Sequence, residues 1–316
     1  MQLTTNTRAF IEAEQYSSFI LLNLHDGLLP DSFYRNVTDF SSGDTLHIKT
    51  VGSVTLQEAS EDTPLVYNPI ETGEITMAIT DYVGDAWYVT DDLREDGNQI
   101  DTLMGERSAE STRAIQENFE TRFLATAQAG QTNADANVIN GFPHRISSTV
   151  ATSGSENSFA LSQLIQVRLA FDKANVPSEG RVFICDPIVE ATLNSLVTIT
   201  HDVTPFGQKI LEQGMARGQR FVMNLYGFDI IQSNRLPTGT FSDGTTSVSS
   251  SVANIAMCVL DDQTKPVMAA WRRMPKSEGE RNKDRARDEF VVRAKWGFGM
   301  QRVDTLAVII TSAVNV

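Results

Sequence analysis

Four histidines, two cysteines and one dense acidic run are the parts of this sequence with the residue types for chemistry. His25, His47, His144 and His201 are scattered, with no metal-ligand spacing and no accompanying nucleophile or carboxylate motif. Lone loop histidines of this kind read as solvated side chains. Cys185 and Cys258 each lie inside an apolar stretch, which predicts free buried thiols. The run from Asp91 to Asn98 has the acidity of a calcium loop, but its spacing fails. With Gly97 as the turn glycine, Arg94 takes the third ligand position and Leu103 the place of the bidentate glutamate. A solvated turn with acids at a helix start is the better reading. Gly297-Phe298-Gly299 lacks the third glycine and the following lysine of a phosphate loop, and reads as a tight turn or bulge. No Gly-x-Ser-x-Gly elbow and no Cys-x-x-Cys occurs. The expectation is no catalytic residue, no cofactor and no metal.

The charge balance points the same way. There are 40 acidic and 26 basic side chains in 316 residues, a net charge of −14. A protein that grips nucleic acid usually carries a basic surplus, so phosphate should be repelled at long range. The acidity is uneven. Arg272 to Lys295 holds nine basic and five acidic residues, a net of +4, which leaves −18 on the rest. No run approaches the roughly 18 apolar residues of a membrane span, and no secretory leader is read, so Asn36-Val37-Thr38 is not taken as a glycosylation site.

The elements that must position these residues follow from periodicity. Residues 8–24 read as an amphipathic helix through Ile11, Tyr16, Phe19, Ile20 and Leu24, ended by Gly27 and Pro30. Residues 44–90 change to a two-residue period. Leu46, Ile48, Val54 and Leu56, then Ile75, Met77 and Ile79, and on to Trp87 and Val89, suggest a long hairpin with a polar end. Residues 100–128 are the strongest helix signal, with Ile100, Leu103, Met104, Ile115, Phe119 and Phe123 on one stripe. A second helix near 159–173 shows Leu161, Leu164, Ile165 and Leu169 on its face. Arg181 to Cys185 reads as a buried strand, and Asp186-Pro187 as an N-cap and first position of another helix. Strands are expected at 220–224, 229–232 and 255–260, with a Gly/Ser/Thr-rich loop over 238–251 and more strands in the last fifty residues.

This order resembles the major capsid proteins of tailed bacteriophages with the Hong Kong 97 type fold. Two stretches carry the resemblance most specifically: LAFDKANVPSEGRVFICDPIVEATL (169–193) and GFDIIQSNRLP (227–237). The resemblance implies an α+β fold in five parts. These are an N-arm (1–30), an extended loop hairpin (31–95) and a peripheral domain with a long spine helix (96–150). An α/β axial domain (151–265) and a return segment completing the peripheral domain (266–316) follow. It implies a non-enzymatic coat protein that assembles with itself, as hexamers and pentamers, into an icosahedral head around double-stranded DNA. A separate scaffolding protein, a portal and an optional decoration protein are the other partners. Assembly in the host cytoplasm, no membrane, and residence in the virion complete the expectation. An encapsulin shell protein, of the same fold, and more remotely a soluble α/β enzyme remain as alternatives. The loop from Gly52 to Glu74 contains no lysine, so a Lys–Asn crosslink there is not expected.

One contact is expected between copies. Glu58, Glu61, Asp62, Glu71 and Glu74 make the hairpin end acidic, with no Lys or Arg between Gly52 and Glu74. Arg281, Lys283, Arg285 and Arg287 are spaced two apart, and on one extended strand they would share a face. In the resembling family the extended loop of one subunit lies over the peripheral domain of the next, which implies that the acidic end docks on this basic row of an adjacent copy; the alternative is that both are solvated faces.

Overall fold

The computed structural model describes residues 27–38, 45–52, 56–58, 61, 67, 69–70, 72–96, 100–131, 138–149, 157–199 and 224–314. A short 3-10 turn (Asp31–Phe33) leads into β1 (Arg35–Asn36), β2 (Thr45–Val51), β3 (Thr72–Ala78) and β4 (Asp81–Thr90). Two helices follow, α1 (Asp91–Asp96) and α2 (Ile100–Gly130). Then come β5 (Val138–Ile139), β6 (Phe142–Pro143), β7 (Arg145–Ser147), α3 (Leu161–Lys173), β8 (Arg181–Cys185) and α4 (Pro187–Ile199). The last elements are β9 (Asn224–Leu225), β10 (Phe228–Gln232), β11 (Thr238–Ser242), β12 (Ser247–Cys258), β13 (Val267–Asn282), β14 (Arg287–Met300) and β15 (Leu306–Ser312). The expected helix at 8–24 and most of the strand at 220–224 lie outside the described residues.

One sheet has seven strands in the order β7-β15-β12-β8-β10-β9, with β11 paired to β12. Its central strands are near-continuous apolar runs because both faces are covered; every residue of β8 and of β15 is buried. On one face, α3 and α4 close a core of Leu164, Val167, Phe171, Phe183, Phe228 and Ile309. The register of α3 differs from the expected one. Ile165 and Leu169 are exposed, while Gln163 is buried and its Oε1 accepts the Ala160 N–H at 3.3 Å. Asp186 does start α4, accepting the Ile188 N–H at 3.1 Å. The expected loop at 238–251 is instead the β11–β12 hairpin. Its turn is tied by Asp243, whose carboxylate accepts the N–H groups of Thr245, Thr246 and Ser147. Serine and threonine here line strands rather than a loop because Val248 and Val252 anchor them in the core.

The second sheet has four strands, β1-β13-β14-β4. Alternation along β4 is strict, with Tyr82, Gly84, Ala86 and Tyr88 exposed and the residues between them half-buried. The covered face packs on α2 through Ile115, Phe119, Val292, Ala294 and Trp296. At 31 residues, α2 spans about 46 Å. Its middle serves this sheet, and Phe123, Leu124 and Ala127 serve the other core. The stripe expected at its start is not buried, since Leu103 stays exposed. The helix end is fixed by the buried Arg145, which donates to the carbonyls of Gln131 (2.5 Å) and Ser242 (2.6 Å).

β2 and β3 form the expected hairpin, in register from Thr45↔Ala78 to Val51↔Thr72. The strand carrying Trp87 and Val89 does not extend it. That strand is β4, paired antiparallel to β14 in the other sheet, so the hairpin stops at 78 rather than 95. The apolar face of the hairpin (Leu46, Ile48, Ile75, Met77) packs on Met268 and Ala270. Gly297 and Gly299 explain the close crossing. They are strand residues of β14, not a turn, and added Cβ atoms would come 2.8 Å from Ile79 Cα and 2.9 Å from Met77 Cγ. At Gly297 glycine lets backbone pass over backbone, and at Gly299 it leaves room for the Met77 side chain.

Candidate assembly surfaces

Among the described residues, those with catalytic chemistry are not brought together. His47 lies on β2 with its Nδ1 on the Glu74 carboxylate. His144 is fully buried rather than solvated, its ring 5.9 Å from that of Phe171. His25 and His201 lie outside the described residues. Cys185 and Cys258 are buried free thiols, as expected. Among the described residues no group of three His, Cys, Asp or Glu is placed to hold a metal ion. Asp91 and Asp92 open α1, whose first turn Thr90 caps by accepting the Leu93 N–H at 3.4 Å.

The expected basic row is not a row. β13 ends at Asn282 and β14 begins at Arg287, so Lys283 and Arg285 sit exposed on the turn between them. The pairing Arg281↔Asp288 falls on the α2 side of the sheet, and Asn282↔Arg287 on the outer side. The sequence spacing assumed one strand where the chain reverses, and Ala286 takes a positive φ of 47° to do so. Two of the four cations are already matched within the subunit. The Arg281 guanidinium takes both oxygens of Asp91 (2.5 and 2.6 Å) and reaches Asp288 at 3.2 Å. The hydrogen bonds from Arg281 hold the Asp91 carboxyl below the usual carboxylate range. Arg287 bonds Glu289 at 2.6 Å, lowers its pKa in the same way, and lies 4.4 Å from the Tyr88 ring.

The acidic end is as exposed as expected where it is described. Glu58, Glu61 and Glu74 are exposed; Asp62 and Glu71 lie outside the described residues. Sequence reading missed the apolar side chains beside them. Leu56 is 91% exposed, Tyr67 99% and Ile70 82%. Two-residue alternation marked Leu56 as a strand residue, and nothing flagged Tyr67 or Ile70.

A further feature with no sequence signal is a mostly buried charge cluster between the two sheets. Arg235, after β10, binds Glu117 (3.0 Å) and Glu120 (3.2 Å) of α2 and donates to the Gly27 carbonyl at 3.1 Å. It borders a cavity of about 510 Å³ walled by Leu28, Phe33, Tyr34, Phe119, Trp271 and Met274. Burial, with Asp31 beside it, pushes the Tyr34 phenol well above its ordinary pKa.

Among the described residues no nucleophile, base and oxyanion site come together. What they present is exposed and ion-paired surface. The family model described as phage capsid protein matches residues 73–311. The chain belongs to that family. It is a structural coat protein of a phage head, a virion component. No curated protein sequence matches it. Solved structures show the fold. The capsid of cyanophage P-SCSP1u superposes with a TM-score of 0.71 at 20% identity, covering 97% of this chain and 94% of that one. The capsid of Ralstonia phage GP4 gives 0.65 at 10%, covering 97% and 96%. The cyanophage Pam1 capsid gives 0.63 at 12%, covering 96% and 97%. The Hong Kong 97 type fold expected from the sequence is the fold of this capsid protein. Among the described residues no helix is long and apolar enough to cross a membrane.

Proposed function

We propose that this capsid protein builds a closed icosahedral head of hexamers and pentamers around packaged double-stranded DNA, and carries no catalytic role. The observation that supports it is the hairpin end, where Leu56, Tyr67 and Ile70 stand in water beside Glu58 and Glu61. Large apolar side chains grouped on an extension mark a contact with another chain. In this reading the seven-stranded sheet is the axial domain. The four-stranded sheet with α2 is the peripheral domain, and β2–β3 is the extended loop that reaches a neighbouring copy. The acidic residues Glu58, Glu61, Asp62, Glu71 and Glu74 are the neighbour-seeking set. Arg281 and Arg287 keep the peripheral tip in shape, and Lys283 and Arg285 remain on its exposed turn. A net charge of −14 suits a shell that must not trap the DNA it encloses. A scaffolding protein, a portal and an optional decoration protein are the partners supplied by other chains, and assembly takes place in the host cytoplasm.

Electron microscopy and sedimentation of the protein, alone and coexpressed with its scaffold, test this. Large hollow shells or capsomers competent to form them are expected. Small closed shells from the protein alone would favour an encapsulin, and a strict monomer under all conditions would overturn the reading.

A further inference from the structure

Among the described residues, the edge strands of the two larger sheets are short or bulged, with one exception. β1 and β9 are two residues long, β7 is three, and β11 is five with a bulge between Gly239 and Phe241. β4 ends the four-stranded sheet and runs ten residues, paired to β14 from Thr90 to Asp81 without a register shift. A long straight edge is a template for another strand, and proteins that must stay apart blunt it with lysine, proline, a bulge or an inward charge. β4 has no lysine, proline or bulge. Its inward carboxylates are already matched, Asp85 by Arg107 at 2.8 Å and Ser111 at 2.5 Å, and Asp81 by Arg122 at 3.8 Å.

One bond fixes which backbone groups are left over. The Asp91 N–H donates to the Ala286 carbonyl at 3.1 Å, on the β14 side. Backbone groups alternate sides along a strand, so Val83, Asp85, Trp87 and Val89 bond toward β14. Tyr82, Gly84, Ala86 and Tyr88 then aim their N–H and C=O groups at the open edge, where no described strand pairs with them. The side chains of these four are uncharged and stand on the exposed outer face. Gly84 hollows that face, leaving a recess of about 250 Å³ between Tyr82, Ala86, Val291 and Arg293. The charged neighbours Glu289, Arg293 and Lys295 lie one strand back, opposite Tyr88, Gly84 and Tyr82. Arg287, 4.4 Å from the Tyr88 ring, is matched by Glu289.

We infer that β4 takes an added strand, and that this strand is β4 of a second copy, paired antiparallel about a two-fold axis through Ala86. The inference rests on the reading that the chain assembles with copies of itself. The strand is complementary to itself in this register. Ala86 meets Ala86, and Gly84 of each copy meets Tyr88 of the other, so a ring fills what glycine leaves. About six backbone hydrogen bonds form between the two edges. On the inner face Val83 meets Val89 and Asp85 meets Trp87. That offers a carboxylate to the Trp87 indole N–H, which has no acceptor among the described residues. Backbone pairing supplies the attraction, and the fit of Tyr88 to Gly84 supplies the register. The contact is isologous, each copy giving the other the same patch.

Residue 86 lies on the axis, so one position tests the contact twice. Opposed Cα atoms there stand about 5.5 Å apart, within disulfide reach. Ala86→Cys, oxidised with glutathione disulfide, should run as a dimer on a non-reducing gel. Two thiols form one disulfide, and the oxidant leaves as two glutathione thiols. Cys185 and Cys258 are buried and do not compete. Tyr82→Cys, whose mate in this register is Thr90, should stay monomeric. The second test is charge. Ala86 is exposed in the subunit, so Ala86→Lys and Ala86→Glu should leave the melting of unassembled protein unchanged. Each sets like charges face to face across the axis, and shell yield by sedimentation should fall at least tenfold. Coexpressing the two should restore it in part. Normal shells from either variant alone, or a mixture no better than either, would overturn the contact. Equal crosslinking of Tyr82→Cys would overturn the register. Loss of shells with Ala86→Lys but no dimer from Ala86→Cys would assign the edge to a strand of a different chain, and overturn the second copy as its occupant. Dimers trapped from protein that never forms shells would count against the shell reading and leave this contact standing.

Discussion

The two sheets of this protein are finished to different degrees. The seven-stranded sheet is covered on both faces, and Phe183, Ile255 and Ile309 are wholly buried within it. The four-stranded sheet is covered on one face by α2 and leaves Tyr82, Gly84, Ala86 and Tyr88 in solvent on the other. The first is a core that any globular domain would recognise. The second is half of one, with its outer face left to solvent. The difference teaches which half of the molecule carries the subunit's own stability, and it can be broken by experiment.

The largest effect belongs to the finished sheet. Phe183→Ala should cost about 3–5 kcal/mol in denaturant unfolding of the unassembled protein, whereas Tyr88→Ala should stay within about 1 kcal/mol. Equal losses would mean that the outer face is structural in the subunit and the comparison is wrong. Asn254→Ala comes next. Its amide donates to the Ile309 carbonyl (3.1 Å) and the Thr311 hydroxyl (2.9 Å), and its oxygen accepts the Asp186 N–H at 3.0 Å. Leaving those buried groups unpaired should cost about 2–3 kcal/mol, read from the same unfolding curves. Gly297→Ala tests the joint between the sheets and the hairpin. The new methyl has no room over Ala78 and Ile79, so a loss of about 1–3 kcal/mol is expected. Faster proteolysis between residues 52 and 71 should accompany it.

The smallest effect is a pH dependence. Desolvation raises the Asp186 carboxyl above its ordinary pKa in the folded protein, against the opposing bond from Ile188. The native state then holds this proton more tightly than the unfolded state. Its contribution to stability is full below the ordinary aspartate value and declines as pH rises through the raised one. Asp186→Asn keeps an N-cap side chain and removes that decline. Its melting temperature should match the unaltered protein in acid and slightly exceed it at neutral pH. Asp91 and Glu289 run oppositely. Their carboxyls are lowered by Arg281 and Arg287, so what they contribute is present above the ordinary carboxylate range and lost as pH falls through the lowered values.

Much of the fold was legible because burial writes its period into the chain. The run from Arg181 to Cys185, the cap at Asp186 and the alternation of Ile75 and Met77 were all readable from neighbours in sequence. The errors occurred where two periods compete or where the deciding contact is remote. The helix from Leu161 shows two candidate stripes, and only the packing of Phe171 and Val167 selects one. Gly297 and Gly299 look like a turn because the strand that crosses them is more than 200 residues away. The basic row failed for the same kind of reason. Spacing by two implies a shared face only if the chain does not reverse, and charge alone does not mark the reversal at Ala286. The open edge of β4 became visible only through strand order.

The glycine crossing also sets the mechanics of the hairpin. Gly297 sets bare backbone against Ala78 and Ile79, and Gly299 makes room for the Met77 side chain. Met77, with Leu46, Ile48 and Ile75, packs on Met268 and Ala270, so the root of the arm is held by backbone and side chains together. From Ala78 to Thr72 the arm extends six residues, about 20 Å. Its direction is therefore set by the four-stranded sheet it leaves.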